Sequence, residues 1–199
     1  MLFRSRDLRI GDSWTYRLKE VRFNKDLASV THEISGGDKG GIRETLRLGA
    51  RGDAQRRLPL EPRIFEQQLD QGAMLFEFSP FMSAFSELQP GVTWSKIAGA
   101  TSSDSINNWR FSGKVIGRER VRVAAGSFDA IKAELEGQLH LSSPMPRDPD
   151  AETIVSSQTY SVWFAPEVGR AIKYERRTYN RVRRLLDHEQ YELVSYKLQ

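Results

Sequence analysis

A mainly β chain is predicted, built as one antiparallel, strongly curved sheet or a partly open β-barrel with one short helix. Three features carry this reading: long runs of period-two alternation, turn residues between consecutive runs, and no strand–helix alternation of the βαβ kind. A two-sheet β-sandwich is the alternative that the same features allow. With 199 residues, 39% hydrophobic and 28% charged, the chain has the size of one domain over residues 1–199 and is too apolar and aromatic for disorder.

The first strand follows Gly11-Asp12, where Trp14, Tyr16 and Leu18 alternate with Ser13, Thr15 and Arg17. At Val21 and Phe23 the apolar positions change phase, which predicts a bulge or a change of packing surface. Val30 to Ser35 and Ile42 to Gly49 read as a hairpin around the Gly-rich stretch 36–41. That stretch has the glycines of a phosphate loop, but a strand pattern follows it where a phosphate loop needs Lys-Ser/Thr and a helix, so a hairpin tip is the better reading. Arg51 to Arg63, with Pro59 and Pro62, reads as loop. Ile64 to Gln71 and Met74 to Phe78 resemble a further hairpin.

Ser79-Pro80 offers an N-cap and a first-turn proline, with Phe81, Phe85 and Leu88 at i, i+4 and i+7 and Pro90-Gly91 as a stop, which predicts the single short helix. Thr93 to Ala100 is a strand, and Asn107 to Val123 a long one in which only Ile116 breaks the alternation. Ala124-Ala125-Gly126 turns the chain into a return strand with Ile131, Ala133, Leu135, Leu139 and Leu141 on one face. Pro144, Pro146 and Pro149 interrupt the sheet, and Asp148, Asp150 and Glu152 there lack the glycine and distal glutamate of a calcium loop. Gln158 to Ala165 and Arg170 to Tyr179 flank the Pro166–Gly169 turn, and His188 to Leu198 closes the chain with a parity change at Val194 that predicts another bulge.

The chemistry is mostly one of exclusion. The absence of cysteine removes thiol nucleophiles, cysteine-based zinc sites, iron–sulfur clusters and disulfides. His32, His140 and His188 fall on separate strands without ligand spacing and are expected at the surface or half-buried, so no metal and no cofactor are expected. No Gly-x-Ser-x-Gly elbow and no evident Ser, His and Asp set is present, so no catalytic residue is assigned and the protein is expected not to be an enzyme, with a hydrolase as the third-ranked reading. No apolar run approaches the ~20 residues of a membrane-spanning helix, and residues 1–10 lack the apolar centre of a secretion signal.

Two candidate sites remain. Phe81, Phe85, Trp109 and Trp163 could line an apolar cavity between helix and sheet, as a ligand-binding set for an apolar small molecule or lipid. Residues 170–184 hold seven cations against Glu175 alone, a local +6 in a chain of +4, and Arg177, Arg181, Arg183 and Arg184 are the candidate anion-binding set. Nucleic acid is not an expected partner.

Val-x-Val-x-Ala-Gly-x-Phe-x-Ala at 121–130, Trp163-Phe164-Ala165-Pro166-x-Val168-Gly169 and the closing Tyr191-x-Leu193-Val194-x-Tyr196 resemble the TapB-like group and related uncharacterised bacterial envelope domains, with an echo at Gly11–Tyr16. The likeness covers the last two-fifths of the chain, and the architecture has a more distant likeness to half-barrel lipoprotein carriers. The resemblance implies a non-enzymatic domain of the periplasm or cell envelope with no catalytic residues to carry over. An envelope protein is the alternative partner it suggests, and the cytoplasm stays open as a location.

Overall fold

The computed structural model describes residues 7–39, 41–48, 52–58, 63–68, 74–79, 88–100, 107–141 and 153–199. Twelve strands occupy them: β1 (Ser13–Glu20), β2 (Lys25–Asp38), β3 (Gly41–Arg47), β4 (Asp53–Leu58), β5 (Arg63–Gln68), β6 (Met74–Ser79), β7 (Thr93–Ala100), β8 (Asn107–Val123), β9 (Gly126–Leu141), β10 (Thr153–Ala165), β11 (Arg170–Asn180) and β12 (Leu185–Lys197). Their order is β4-β3-β2-β1-β12-β11-β10-β9-β8-β7-β5-β6. From β4 to β7 all neighbours are antiparallel, and the β5–β6 hairpin joins β7 through a parallel pairing of Ile64 with Gly99 and Phe65 with Ala100. The sheet does not close, and one continuous strand order replaces the sandwich alternative.

The curvature follows from contacts between strands distant in this order. β3 and β11 are four strands apart, which on a flat sheet would separate them by about 19 Å. Yet Arg170 at the start of β11 meets Glu44 of β3 at 2.9 Å. The tip of the β8–β9 hairpin likewise reaches β12, where the Ala125 amide donates to the Leu193 carbonyl at 3.2 Å. The sheet therefore curls around one inner surface. Trp14, Tyr16 and Leu18 of β1, Val30 and Ile34 of β2, Leu46 of β3, Leu135 of β9, Tyr160, Val162 and Phe164 of β10 and Leu193 of β12 form its buried cluster.

The bulge expected at Val194 is present, since Thr15 pairs with Ser195 and Tyr16 with Leu193. Ile116 is skipped in the β8–β9 register and stands 40% exposed, so the residue that broke the pattern is a bulge. The Gly-rich stretch is a hairpin tip between β2 and β3. Two expectations are corrected. The phase change at Val21 ends β1 in a four-residue turn, with Asn24 at φ 52° and Phe23 73% exposed; a turn alters parity as a bulge does. The loop expected over 51–63 contains strand β4, paired with β3 from Arg47–Asp53 to Ile42–Leu58. Asp-Ala-Gln-Arg-Arg-Leu has no apolar alternation, and what makes it a strand is backbone pairing with a neighbour already in place. The expected helix lies almost wholly outside the described residues, as do Phe81, Phe85 and the acidic stretch 148–152.

Candidate functional site

The inner surface carries a fully enclosed polar cluster. Arg170, Glu44 and His32 are each 0% exposed and Tyr191 is 5% exposed. β1, β2, β3 and β12 supply adjacent inward positions, and the turn after Ala165 delivers Arg170 above them. That turn is held by the Val168 and Gly169 amides donating to the Ala165 carbonyl, with Gly169 at φ 72° where a side chain would be strained. Trp14 Nε1 donates to the Val168 carbonyl at 3.3 Å and the Tyr16 hydroxyl to the Ala171 carbonyl at 2.7 Å, pinning the same corner to β1.

Arg170 Nη1 donates to Glu44 Oε1 at 2.9 Å, and Nη2 meets His32 Nδ1 at 2.7 Å. A guanidinium can only donate, so His32 Nδ1 must accept, which makes the ring neutral with its proton on Nε2. That proton then points to the Tyr191 hydroxyl at 3.0 Å. The 3.4 Å approach of Glu44 Oε2 to Nδ1 is accordingly two acceptors gathered by one guanidinium, not a second ion pair. Trp14 lies beneath the guanidinium at 4.8 Å, and Tyr16 stacks on Tyr191 at 4.6 Å. The side chains of His32, Glu44 and Arg170 are fully enclosed, and with Tyr191 they tie β2, β3, β11 and β12 together. The expectation that the histidines are surface or half-buried fails at His32, and the signal for Glu44 and Arg170 is a charge on the apolar parity of a strand, Glu44 between Ile42 and Leu46 and Arg170 before Ile172 and Tyr174.

Further along the inner surface Arg176 and Glu189 sit opposite each other and are 8% and 9% exposed, joined through Arg176 Nε at 3.1 Å. Burial raises the Glu189 carboxyl above the usual carboxylate range, and Arg176 offsets this only in part. Burial works against the Arg176 charge, but Tyr160 and Glu189 hold its pKa above the ordinary arginine value. The Thr178 hydroxyl nearby is buried without a partner.

The outer face is a ladder of charge. Trp163 pairs across the strands with Lys132 on one side and Lys173 on the other, their ammonium groups 5.5 and 4.8 Å from its ring, and its indole donates to Glu119. It thus lies on the face of β10 opposite Val162 and Phe164. Trp109 is in β8, opposite Leu139. Arg177 pairs with Glu175 at 3.3 Å. Burial alone would raise Glu175, but Lys173 at 3.0 Å and Arg177 hold it below the usual range. His188 is pushed down by burial and then by Arg177. Within the basic window Arg170 and Arg176 meet Glu44 and Glu189 of other strands, which the linear count cannot show, while Lys173 and Arg177 share Glu175 of their own strand. Arg181, Arg183 and Arg184 are exposed on the β11–β12 turn, without an ion pair among the described residues. Among the described residues no cluster of His, Asp and Glu could hold a metal, and no helix is long and apolar enough to cross a membrane.

Fold and site together define an open, curled antiparallel sheet organised around a buried ionic cluster. No protein-family model matches the chain, and no curated protein matches it. Two solved structures share its fold. One is a candidate lipoprotein from Parabacteroides distasonis ATCC 8503, with a TM-score of 0.57 and 11% identity over 99% of this chain and 100% of that one. The other is a candidate exported protein with a YmcC-like fold from Bacteroides fragilis NCTC 9343, with a TM-score of 0.51 and 12% identity over 99% and 100%. At these identities the likeness is one of fold.

Proposed function

We propose that the chain is a non-enzymatic domain of the bacterial cell envelope that works by binding, with an apolar or lipid-like ligand held against its inner surface. The observation that carries this reading is the form of the sheet, which curls about an aromatic inner surface including Phe111, Tyr160, Phe164 and Tyr174 without closing. Two further points support it. The fold is that of a candidate lipoprotein and a candidate exported protein over nearly the whole chain. The resemblance of its last two-fifths to the TapB-like envelope group points the same way. Phe81, Phe85 and Trp109 stay the ligand-binding residues of the proposal, Trp163 being set aside because it lies on the outer face of β10, and the periplasm or cell envelope stays its location. The test is to isolate the protein from fractionated cells of its native host, extract it with chloroform–methanol and weigh the extract by mass spectrometry. A stoichiometric lipid in the envelope-derived sample is expected. A lipid-free extract, with no displacement of a fluorescent fatty acid, would overturn the apolar-ligand reading.

A second reading, a protein-interaction module of an envelope assembly, is favoured by β4, which ends the strand order on one side and can accept an added strand from a partner. Photo-crosslinking from Gln55 in cells tests it: a discrete adduct supports strand addition, and its absence refutes it.

A further inference from the structure

Beside the β11–β12 turn a groove of about 570 Å³ opens on the outer face of β9, β10 and β11. Its floor is two cross-strand rungs, Gln138–Ser157–Tyr179 and Glu136–Thr159. The first rung spans three strands and the second two, which gives a floor of about 7 by 10 Å at its widest, the footprint of a pyranose ring with its substituents. Among the described residues none of these five side chains has a hydrogen-bonding or ionic partner, and their hydroxyl, amide and carboxylate groups line the groove.

Arg181 and Arg183 form one wall, also without an ion pair among the described residues. Their turn is fixed in place. Asn180 Oδ1 accepts from the Val182 amide at 3.1 Å and the Arg184 amide at 2.9 Å, and the Asn180 amide donates to the Arg184 carbonyl at 3.0 Å. The turn holds Arg183 at φ 59°, a left-handed conformation that ordinary side chains avoid. An arginine kept where glycine or asparagine would relax the backbone points to use of its guanidinium.

We propose that this groove binds a hydroxyl-rich anion, a sugar acid or a sugar phosphate, free or at the end of a glycan. Arg181 and Arg183 take the anionic group in charge-assisted hydrogen bonds. Gln138, Ser157 and Thr159 exchange hydrogen bonds with ring hydroxyls, and the Tyr179 ring offers an apolar surface to the ring's C–H face. Glu136 selects for hydroxyl groups, because a carboxylate accepts from them and repels a bare phosphate or the anionic surface of a bilayer. The groove is concave and on the outer face, distinct from the surface assigned to an apolar ligand, so a lipid-free extract leaves this proposal standing.

The test is an amide-resolved NMR titration of the whole chain with glucuronate, glucose 6-phosphate, glucose, inorganic phosphate and vesicles of phosphatidylglycerol, each separately. Glucuronate or glucose 6-phosphate is expected to shift the amides of 136–138, 157–159 and 179–183 saturably, with glucose and phosphate each about tenfold weaker or more. Arg181→Ala and Arg183→Ala, both on the exposed turn, should each weaken binding about tenfold, while Arg183→Lys weakens it less. Glu136→Gln should weaken the sugar anions and leave phosphate unchanged or tighter. No saturable shift with either sugar anion overturns the proposal. So do equal affinity for inorganic phosphate, binding only to vesicles, or shifts that survive the double alanine variant.

Discussion

Replacing Arg170 by methionine tests whether the enclosed cluster holds the curl together. Its guanidinium bonds Glu44 at 2.9 Å and His32 at 2.7 Å with none of these side chains exposed. Methionine keeps much of the volume and removes the charge, leaving the Glu44 carboxylate buried without its cation, a loss of about 3–5 kcal/mol. For a chain of this size that lowers the melting temperature by roughly 6–20 °C. The companion variant Glu44→Leu removes the carboxylate that the guanidinium meets at 2.9 Å and should cost a similar amount. The double variant removes both charges of the pair together and takes the Arg170 donor from His32 Nδ1, a residual of about 1–3 kcal/mol. The two sites should therefore be coupled by at least about 2 kcal/mol in a double-mutant cycle. Urea unfolding followed by far-ultraviolet circular dichroism gives the three energies, and Trp14 fluorescence reports the same corner. A single-variant loss under about 1 kcal/mol, or a double variant equal to the sum of the singles, would refute the argument. At pH 7 the His32 ring nitrogens should show the Nε2–H tautomer by NMR.

Three other outcomes follow from particular contacts. A Cβ on Gly137 would run into the Phe111 ring, so Gly137→Ala should cost about 2–3 kcal/mol and lower the melting temperature by roughly 5–10 °C in calorimetry. Arg183→Gly relieves the left-handed backbone and should raise stability by about 0.5–1 kcal/mol in urea, the gain being limited by glycine's greater freedom when unfolded. The pKa of His188 is depressed by burial and Arg177, so its contribution is full above its unfolded value near pH 6.5 and lost as pH falls through the folded value. The raised pKa of Glu189 acts in the opposite direction, with stability present below pH 4.5 and lost as pH rises through its folded value, so the comparison is made between variants. His188→Gln should lose less of its urea midpoint between pH 7 and pH 5 than the parent chain, and an equal loss would refute the assignment.

The hairpins were legible because each is a local code. The Val123–Gly126 tip, the Pro166–Gly169 turn and the bulges at Ile116 and Val194 are all visible as a change of parity or a glycine between alternating runs. Strand β4 was not legible, since its pairing comes from β3 and not from its own residues. The arginine turn was visible as charge, but its groove was not, because Gln138 and Ser157 become neighbours of Tyr179 only through cross-strand register. Arg176 looked like free charge beside Arg181 until Glu189 was brought opposite it.

By itself the amino-acid order determined an antiparallel β protein, the position of most of its turns and the face that each long strand buries. These depend on dihedral preference and period-two patterning over a few residues. Only the tertiary structure decided the degree of curl and the cluster of Arg170, Glu44, His32 and Tyr191, whose members are separated by as many as 159 positions. A charged residue is buried at tolerable cost only when its partner is already in place, and partners are set by how the sheet bends. The bend is a property of all the strands together, so no stretch of sequence carries it.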